Sequence, residues 1–317
     1  MPRCLVLLLC LLSGPALAAY PDRSIRFVIP SAPGGSPDVL MRILLAEMTK
    51  QMGVSFVVEN KPGASFVIGT LDIVRAPADG YTLGYGNIVS LAVNRSLLDK
   101  VPYDVERDLT LISNCVRVYN MLAVNNSLPV RTVPELIDYA KRNPGRLTMG
   151  SSGNGTTGHL GGELFKSMTG TFILHVPYKG SAQAINDLMG GQIQVMFDNV
   201  PSIGPHVKAG RVRGIAVSGP RRSPVFPEIP TVAEAGVPGY ETIAWGGVIG
   251  PAGLPKEIIA RLHAEIRTAL ASPALQERYR NLDTEIDGGT PEQFLALVRS
   301  ETPKWAAVVK RSGAKVD

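Results

Sequence analysis

An α/β protein of two lobes, each a sheet covered by helices with a ligand cleft between them, is the fold class this sequence predicts. Three observations carry that expectation. Short apolar runs alternate with amphipathic helical stretches along most of the chain. Two of those runs stop at a glycine- and serine-rich turn and restart as a helix: Phe27-Val28-Ile29-Pro30 before Ser31-Ala32-Pro33-Gly34-Gly35-Ser36-Pro37-Asp38, and Leu147-Thr148-Met149 before Gly150-Ser151-Ser152-Gly153-Asn154-Gly155-Thr156-Thr157-Gly158-His159. The chain has 317 residues, a length that favours two domains over one.

The elements follow in order. Ile25–Ile29 is an expected strand and 38–51 an amphipathic helix, with Leu40, Ile43, Leu44 and Met48 at helical spacing. A second strand over 54–59 ends at the turn Asn60-Lys61-Pro62-Gly63, and a third covers 82–86 after Asp79-Gly80. From about residue 109 to 124 the pattern is strand-rich. A helix then starts at the capping box Thr132-x-x-Glu135, with Pro134 in its first turn. After the second glycine-rich turn come a helix (159–168), a strand (172–176), a helix (181–189) and strands at 193–197 and 212–217. The proline-rich segment 220–238 holds another capping box, Thr231-x-x-Glu234, and is expected to return the chain to the first lobe. Helices at 255–271 and from 291 onward close the chain, with Pro303 expected to kink or split the last. Strands alternating with helices imply parallel sheets covered on both faces, whose ligands bind at the carboxyl ends of the strands. Both glycine-rich turns sit at such ends.

The first residues have the form of an export signal. Arg3 supplies the charged start, Leu5 to Leu12 an apolar run too short to span a bilayer, and Ala16-Leu17-Ala18 a small-x-small cleavage site. Cys4 and Cys10 would leave with that leader, so Cys115 remains without an internal disulfide partner. In an apolar run it is expected as a buried small hydrophobe rather than a nucleophile. The net charge of +5 includes Arg3 and is scattered, with no basic block and no aromatic–basic stripe, which argues against nucleic-acid binding.

Each glycine-rich turn can offer backbone N–H groups and the positive end of a helix to a small anion. Gly153-Asn154-Gly155-Thr156-Thr157-Gly158 matches G-x-G-x-x-G, but the strand after it ends Val176-Pro177-Tyr178-Lys179, with no acidic residue for a ribose. Its hydroxyls suit a small carboxylate better than a pyrophosphate, and a purely structural tight turn is the competing account. The first turn is no P-loop, since no Gly-Lys-Ser/Thr follows. Asp38 is expected to cap its helix or to accept from a ligand. Gly150-Ser151-Ser152-Gly153-Asn154 is not G-x-S-x-G, although spacing alone leaves a Ser152–His159 hydrolytic pair open. The other histidines, His175, His206 and His263, show no metal-ligand spacing, so neither a metal nor a cofactor is expected. Asp198 and Asn199 end a strand at the cleft side and either meet a ligand or start the turn to Pro201.

Nine blocks in order resemble one known family over essentially the whole mature chain. They are Tyr20-Pro21-Asp22-Arg23-Ser24-Ile25-Arg26, Pro33-Gly34-Gly35-Ser36, Val58-Glu59-Asn60-Lys61-Pro62-Gly63-Ala64, Asp79-Gly80-Tyr81-Thr82-Leu83, Ser151-Ser152-Gly153, His159-Leu160, Val176-Pro177-Tyr178-Lys179-Gly180, Phe197-Asp198-Asn199 and Pro230-Thr231-Val232-Ala233-Glu234-Ala235-Gly236. The sequence is similar to the substrate receptors of the tripartite tricarboxylate transporter family, the Bug-type periplasmic receptors. The resemblance implies a type II-like periplasmic-binding-protein fold that closes like a flytrap. Its expected parts are a leader (1–18), a first lobe (19–120 with 240–317) and a second lobe (121–239).

The resemblance also implies carboxylate ligands held by backbone N–H groups, hydroxyls and waters. By position, Ala32, Gly34, Gly35, Ser36 and Asp38 would serve from the first lobe. Ser151, Ser152, Gly155, Thr156, Thr157 and His159 would serve from the second, with Tyr178, Lys179 and Asp198 close by. Three departures stand out: Pro37 where a small hydroxyl residue is usual, Ser65-Phe66-Val67 in place of Gly-Gly-Asn, and Tyr119 in place of proline. If Phe66 and Tyr119 reach the cleft they favour an aromatic or more apolar acid; the alternative is that both pack in the lobe cores. The expected function is that of an exported, monomeric periplasmic receptor. It would hand a small organic carboxylate to the permease subunits of a tripartite tricarboxylate transporter, with no covalent chemistry. The alternatives are an exported serine hydrolase using Ser152 and His159, and a receptor serving a sensor kinase.

Overall fold

The structure, a computed structural model, describes residues 20 to 314; the expected leader with Cys4 and Cys10 lies outside them. Strand β1 (Ile25–Ile29) leads through the first glycine-rich turn into helix α1 (Ser36–Met52), followed by β2 (Phe56–Asn60), α2 (Val67–Val74) and β3 (Thr82–Asn87). A π-helical turn (Val89–Val93) continues into α3 (Asn94–Leu97), and α4 (Val105–Asp108) precedes the long strand β4 (Leu109–Val124). Next come α5 (Val133–Arg142), β5 (Thr148–Ser151), α6 (Thr157–Thr169), β6 (Leu174–Pro177), α7 (Ser181–Met189), β7 (Val195–Asn199), α8 (Val200–Lys208) and β8 (Arg213–Val217). The chain closes with β9 (Ile243–Pro251), α9 (Lys256–Ala271), α10 (Pro273–Asn281), β10 (Thr284–Ile286) and α11 (Pro291–Ser312).

Local chemistry explains most boundaries. Helix α1 stops at Gly53, whose φ of 69° carries its N–H back to the Thr49 carbonyl. Thr132 and Glu135 form the expected capping box of α5, and Thr290 with Gln293 forms one for α11. The Thr231–Glu234 box also forms, but it closes a turn rather than a helix. Helix α11 runs unbroken through Pro303, so the expected split does not occur. Its buried Phe294, Val298, Trp305 and Val309 recur at helical spacing, and packing of that face offsets the missing N–H.

The strands pair in two halves joined through β4. In the first, β2, β1 and β3 are parallel, and β9 is antiparallel to both β3 and β4. In the second, β7, β5 and β6 are parallel, and β4 is antiparallel to β7 and β8. The expected all-parallel sheets are therefore mixed at their centre. Strand β9 enters the first half from the inter-lobe side, so it must run against strands that point toward the cleft.

Side chains along β4 alternate between cores. Leu122 and Val124 join Phe165, Phe197 and Tyr240, whereas Met121 and Ala123 join Met196 and Ile203 on the opposite face. In the first half Phe27 and Ile29 pack with α1 and α9, and Val28 faces Trp245 and Phe294. No described helix is long and apolar enough to cross a membrane. Phe294, fully buried between α11 and the sheet, anchors that face. Phe294→Ala is expected to cost about 3–5 kcal/mol in urea unfolding, with little change in the denaturant slope.

Candidate functional site

The parallel strands of both halves end at one cleft, and the helices after them begin there. A cavity of about 690 Å³ fills it. Five helix N-caps line that cavity: Gly35 of α1, Phe66 of α2, Thr156 of α6, Gly180 of α7 and Asn199 of α8. Only Thr156 has its side chain engaged as a cap, accepting from the His159 N–H. The N-cap side chains of the other four accept no hydrogen bond from their first turns, and at α1 the Ser36 N–H is instead taken by Ser202 Oγ; the helix starts themselves lie at the cavity wall. The charged residues on its wall are Lys179, exposed, and Asp198, buried.

The walls are otherwise largely apolar. Phe66, Tyr85, Tyr178 and Trp245 contribute rings, and two of their polar tips are turned elsewhere. Tyr178 donates its hydroxyl to Asp187 at 2.7 Å, and the Trp245 indole N–H points to Glu301. Two buried side-chain oxygens of lining residues lack a hydrogen-bond partner, Ser31 Oγ from the first half and Asp198 Oδ2 from the second. The other Asp198 oxygen accepts from Ser181 Oγ at 3.1 Å. Burial raises the Asp198 carboxyl to about 7, against the opposing pull of Ser181 and the Asn199 backbone N–H.

The two halves touch across the cleft. The Ser36 N–H donates to Ser202 Oγ at 2.8 Å, and Ser65 Oγ donates to the Asn154 carbonyl at 3.1 Å. Ala64, Ser65 and Phe66 all take positive φ, of 45°, 50° and 72°, a conformation that costs L-residues energy and clusters at ligand sites. Glycine would adopt it freely.

Of the residues expected at the site, Ala32, Gly35, Ser152, Thr156, Thr157, Tyr178, Lys179, Asp198 and Phe66 line the cavity. Gly34, Ser36, Asp38, Ser151, Gly155 and His159 do not; they hold the two turns in shape. Asp38 accepts from the Gly34 N–H at 3.0 Å, and from Arg42 Nε and Asn60 Nδ2 on its other oxygen. Gly155, at φ +77°, lies so close to Leu97 that an added Cβ would sit 2.2 Å from its Cδ2. His159 Nδ1 accepts the Gly155 N–H at 3.0 Å and its ring stacks on His175, whose Nε2 is 2.7 Å from Ser151 Oγ.

Tyr119 is a clear correction. It lies in a separate cavity of about 240 Å³ between Arg221, Arg280 and Glu285, with its ring against Gly219 and its hydroxyl donating to Glu285 at 3.4 Å. The cause is the two-residue period of a strand: Val118 points into the ligand cavity, so Tyr119 points away. Sequence reasoning also overlooked Pro62 to Ser65 beside Phe66, Tyr85 to Val89, and Ala244-Trp245. The first two follow strand ends, the same signal that marked the glycine-rich turns. Trp245 is on antiparallel β9, and nothing local to it marks the cleft.

The hydrolytic pair is not assembled. Ser152 lines the cavity, but His159 is buried beneath the turn with Nδ1 occupied by Gly155. His159, Glu163 and His175 bring donor atoms within 4.8 Å of one another, a gathering the sequence spacing hid. The donor geometry is poor for a metal. Nδ1 of His159 accepts, which puts its ring proton on Nε2, the nitrogen nearest Glu163. The two rings are also stacked at 4.0 Å and 16°, so their in-plane lone pairs do not converge. Glu163 is already paired with Lys166 at 2.6 Å.

Cys115 is buried, and burial pushes its thiol up to about 12, in keeping with a packing role. Burial, with Lys166 nearby, lowers His159 to about 4. Burial, with His159 and Lys166, lowers His175 to about 3. Unfolded, both would titrate near 6.5. Below that pH the unfolded chain takes up protons the folded one refuses, so their contribution favours unfolding increasingly as pH falls from 6.5 toward 4. Asp198 acts oppositely, since its proton is held more tightly in the folded chain between 3.8 and about 7. His175→Gln is expected to show a smaller fall in melting temperature between pH 6.5 and 4.5 than the unaltered chain.

A family model described as the tripartite tricarboxylate transporter family receptor matches residues 40–314. The protein BugT of Bordetella pertussis is 36% identical over 298 residues, covering 94% of this chain and 91% of BugT. Among solved structures, R. palustris Rpa4515 with adipate is 40% identical, with a TM-score of 0.91 over 93% of this chain and 98% of that one. MatC from Rhodopseudomonas palustris with bound malate is 28% identical, with a TM-score of 0.87 over 92% of this chain and 100% of that one.

Proposed function

This chain belongs to the tripartite tricarboxylate transporter receptor family, and from that premise we propose that it is an exported receptor for a small organic carboxylate. Its lobes, residues 19–120 with 240–317 and residues 121–239, close on the ligand, and the closed form delivers it to the membrane permease of a tripartite tricarboxylate transporter. The observation that carries this reading is the convergence of five helix N-caps on one cavity whose single lining cation is exposed. Oriented N–H dipoles in a site closed to water favour an anion without a buried side-chain cation. Adipate and malate in the two similar structures are consistent with that chemistry.

The direct ligand contacts come from Ala32, Gly35, Ser152, Thr156, Thr157, Lys179 and Asp198. The apolar walls, Phe66 among them, favour an acid with an apolar body, and a cavity of about 690 Å³ leaves room for one. Closure is a population shift, driven by tighter binding to the closed arrangement.

A thermal-shift and calorimetric panel of aliphatic diacids, acidic amino acids and aromatic acids tests the reading. A true ligand at about a hundred times its Kd adds roughly 2.7 kcal/mol of stability. Absence of any response across the acids, with turnover of esters that Ser152→Ala abolishes, would favour hydrolysis instead. Phe66→Ala is expected to weaken an apolar acid by about tenfold, ~1.4 kcal/mol, while leaving a short hydroxy acid nearly unaffected.

Gly180 has extended backbone open to any residue, but a Cβ there would lie 2.7 Å from the Ala32 Cβ across the cleft. Gly180→Val is therefore expected to keep the fold and prop the lobes apart. The ligand-induced decrease in radius of gyration should vanish, and affinity should fall at least tenfold.

A further inference from the structure

Asp198 poses a problem the receptor reading leaves unanswered: a buried carboxyl group lies in the wall of a cavity built for an anion. Its Oδ1 takes the Ser181 hydroxyl, whereas Oδ2 is buried and has no partner. Two carboxylates brought together away from water repel strongly, and the usual resolution is that one of them keeps a proton. A neutral acid has a donor to offer, and the only oxygen of Asp198 free to carry it is Oδ2.

We propose that Asp198 carries a proton into the closed cleft and donates it from Oδ2 to a carboxylate oxygen of the ligand, so that binding takes up a proton from solvent. This rests on the reading that the cavity holds a carboxylate. The groups around Asp198 leave the assignment to it. Strand β4 presents Met121 opposite it, α7 presents Ser181, and Asn199 begins α8. None of these titrates. Among titratable groups on the cavity wall, the Tyr178 hydroxyl is pushed up to about 12 by burial and Asp187, burial pushes the Tyr85 hydroxyl far above neutrality, and Lys179 is at the exposed rim. His159 and His175 are beneath the second turn and lose their protons well below neutrality. Burial, against the pull of Ser181 and the Asn199 N–H, already brings the Asp198 carboxyl to about 7, and a ligand carboxylate beside it raises it further.

The test is titration calorimetry of the chain from residue 19 to 317 with adipate, malate and benzoate, at pH 6 and pH 8.5, in buffers of different protonation enthalpy. The acid that binds best at pH 6 is expected to take up close to one proton at pH 8.5. Its affinity should weaken toward tenfold per pH unit above the point where Asp198 ionises in the free protein. Asp198→Asn, which keeps a donor at that position, should bind at both pH values with no proton uptake. Equal affinity at both pH values without proton uptake by the unaltered chain overturns the inference and makes Asp198 an ionised acceptor for a ligand hydroxyl or ammonium. Persistence of the pH dependence in a folded Asp198→Asn overturns it as well. If Asp198→Asn does not fold, the proton count of the unaltered chain decides alone. If none of the acids binds at either pH, the receptor reading fails, and this inference with it.

Discussion

A strand that belongs to two sheet halves constrains both at once, and β4 is that strand. Over Leu109 to Tyr119 it hydrogen-bonds to β9, and from Asn120 onward to β7 and β8. The transfer point is tied by Ser218. Its hydroxyl accepts from the Asn120 N–H at 2.8 Å and donates to the Thr242 carbonyl at 2.7 Å, while its own N–H reaches the Asn120 carbonyl. The outgoing strand and the returning chain are thereby clamped at one place. The register shifts in the pairings of β4 lie to either side of it. Because the parallel strands of both halves point toward this junction, their following helices all begin around the same space.

That geometry accounts for the electrostatics of the cleft. Helix N-termini cost nothing to bury when a carboxylate meets them, whereas a buried lysine or arginine would need its own compensating partner whenever the cleft opens. The cavity wall accordingly has one lysine, the exposed Lys179, and no arginine, while arginines such as Arg26 and Arg299 pair with Glu59 and Glu106 away from it. The same arrangement makes Asp198 conspicuous, since its buried carboxyl group lies beside the space a ligand carboxylate would occupy.

Beneath the second turn, the stacked His159 and His175 fill a role that a sequence reader would give to catalysis or metal binding. They accept from the Gly155 N–H and engage Ser151, so they shape the turn from behind. Asp38 does the equivalent for the first turn. Each loop thus divides into residues that face the cleft and residues that hold those in place, and the strained Ala64–Phe66 segment adds a third wall fastened by Asn94 and Asn154.

The sequence alone determined the strand–helix alternation, both glycine-rich turns, the capping boxes at Thr132 and Thr231 and the family, because each depends on neighbours in the chain: periodicity, backbone freedom, and a side chain reaching three residues on. Ala32, Gly35, Thr156 and Asp198 were legible for the same reason, as strand ends and helix starts. Only the tertiary structure decided that β9 runs antiparallel through the centre with Trp245 in the wall, that His159 meets His175 rather than Ser152, and that Val118 faces the cavity while Tyr119 faces away. Those outcomes depend on which segments, distant in sequence, are packed together and on which face of a strand is turned inward. Residue identity carries no record of either until the chain has closed on itself.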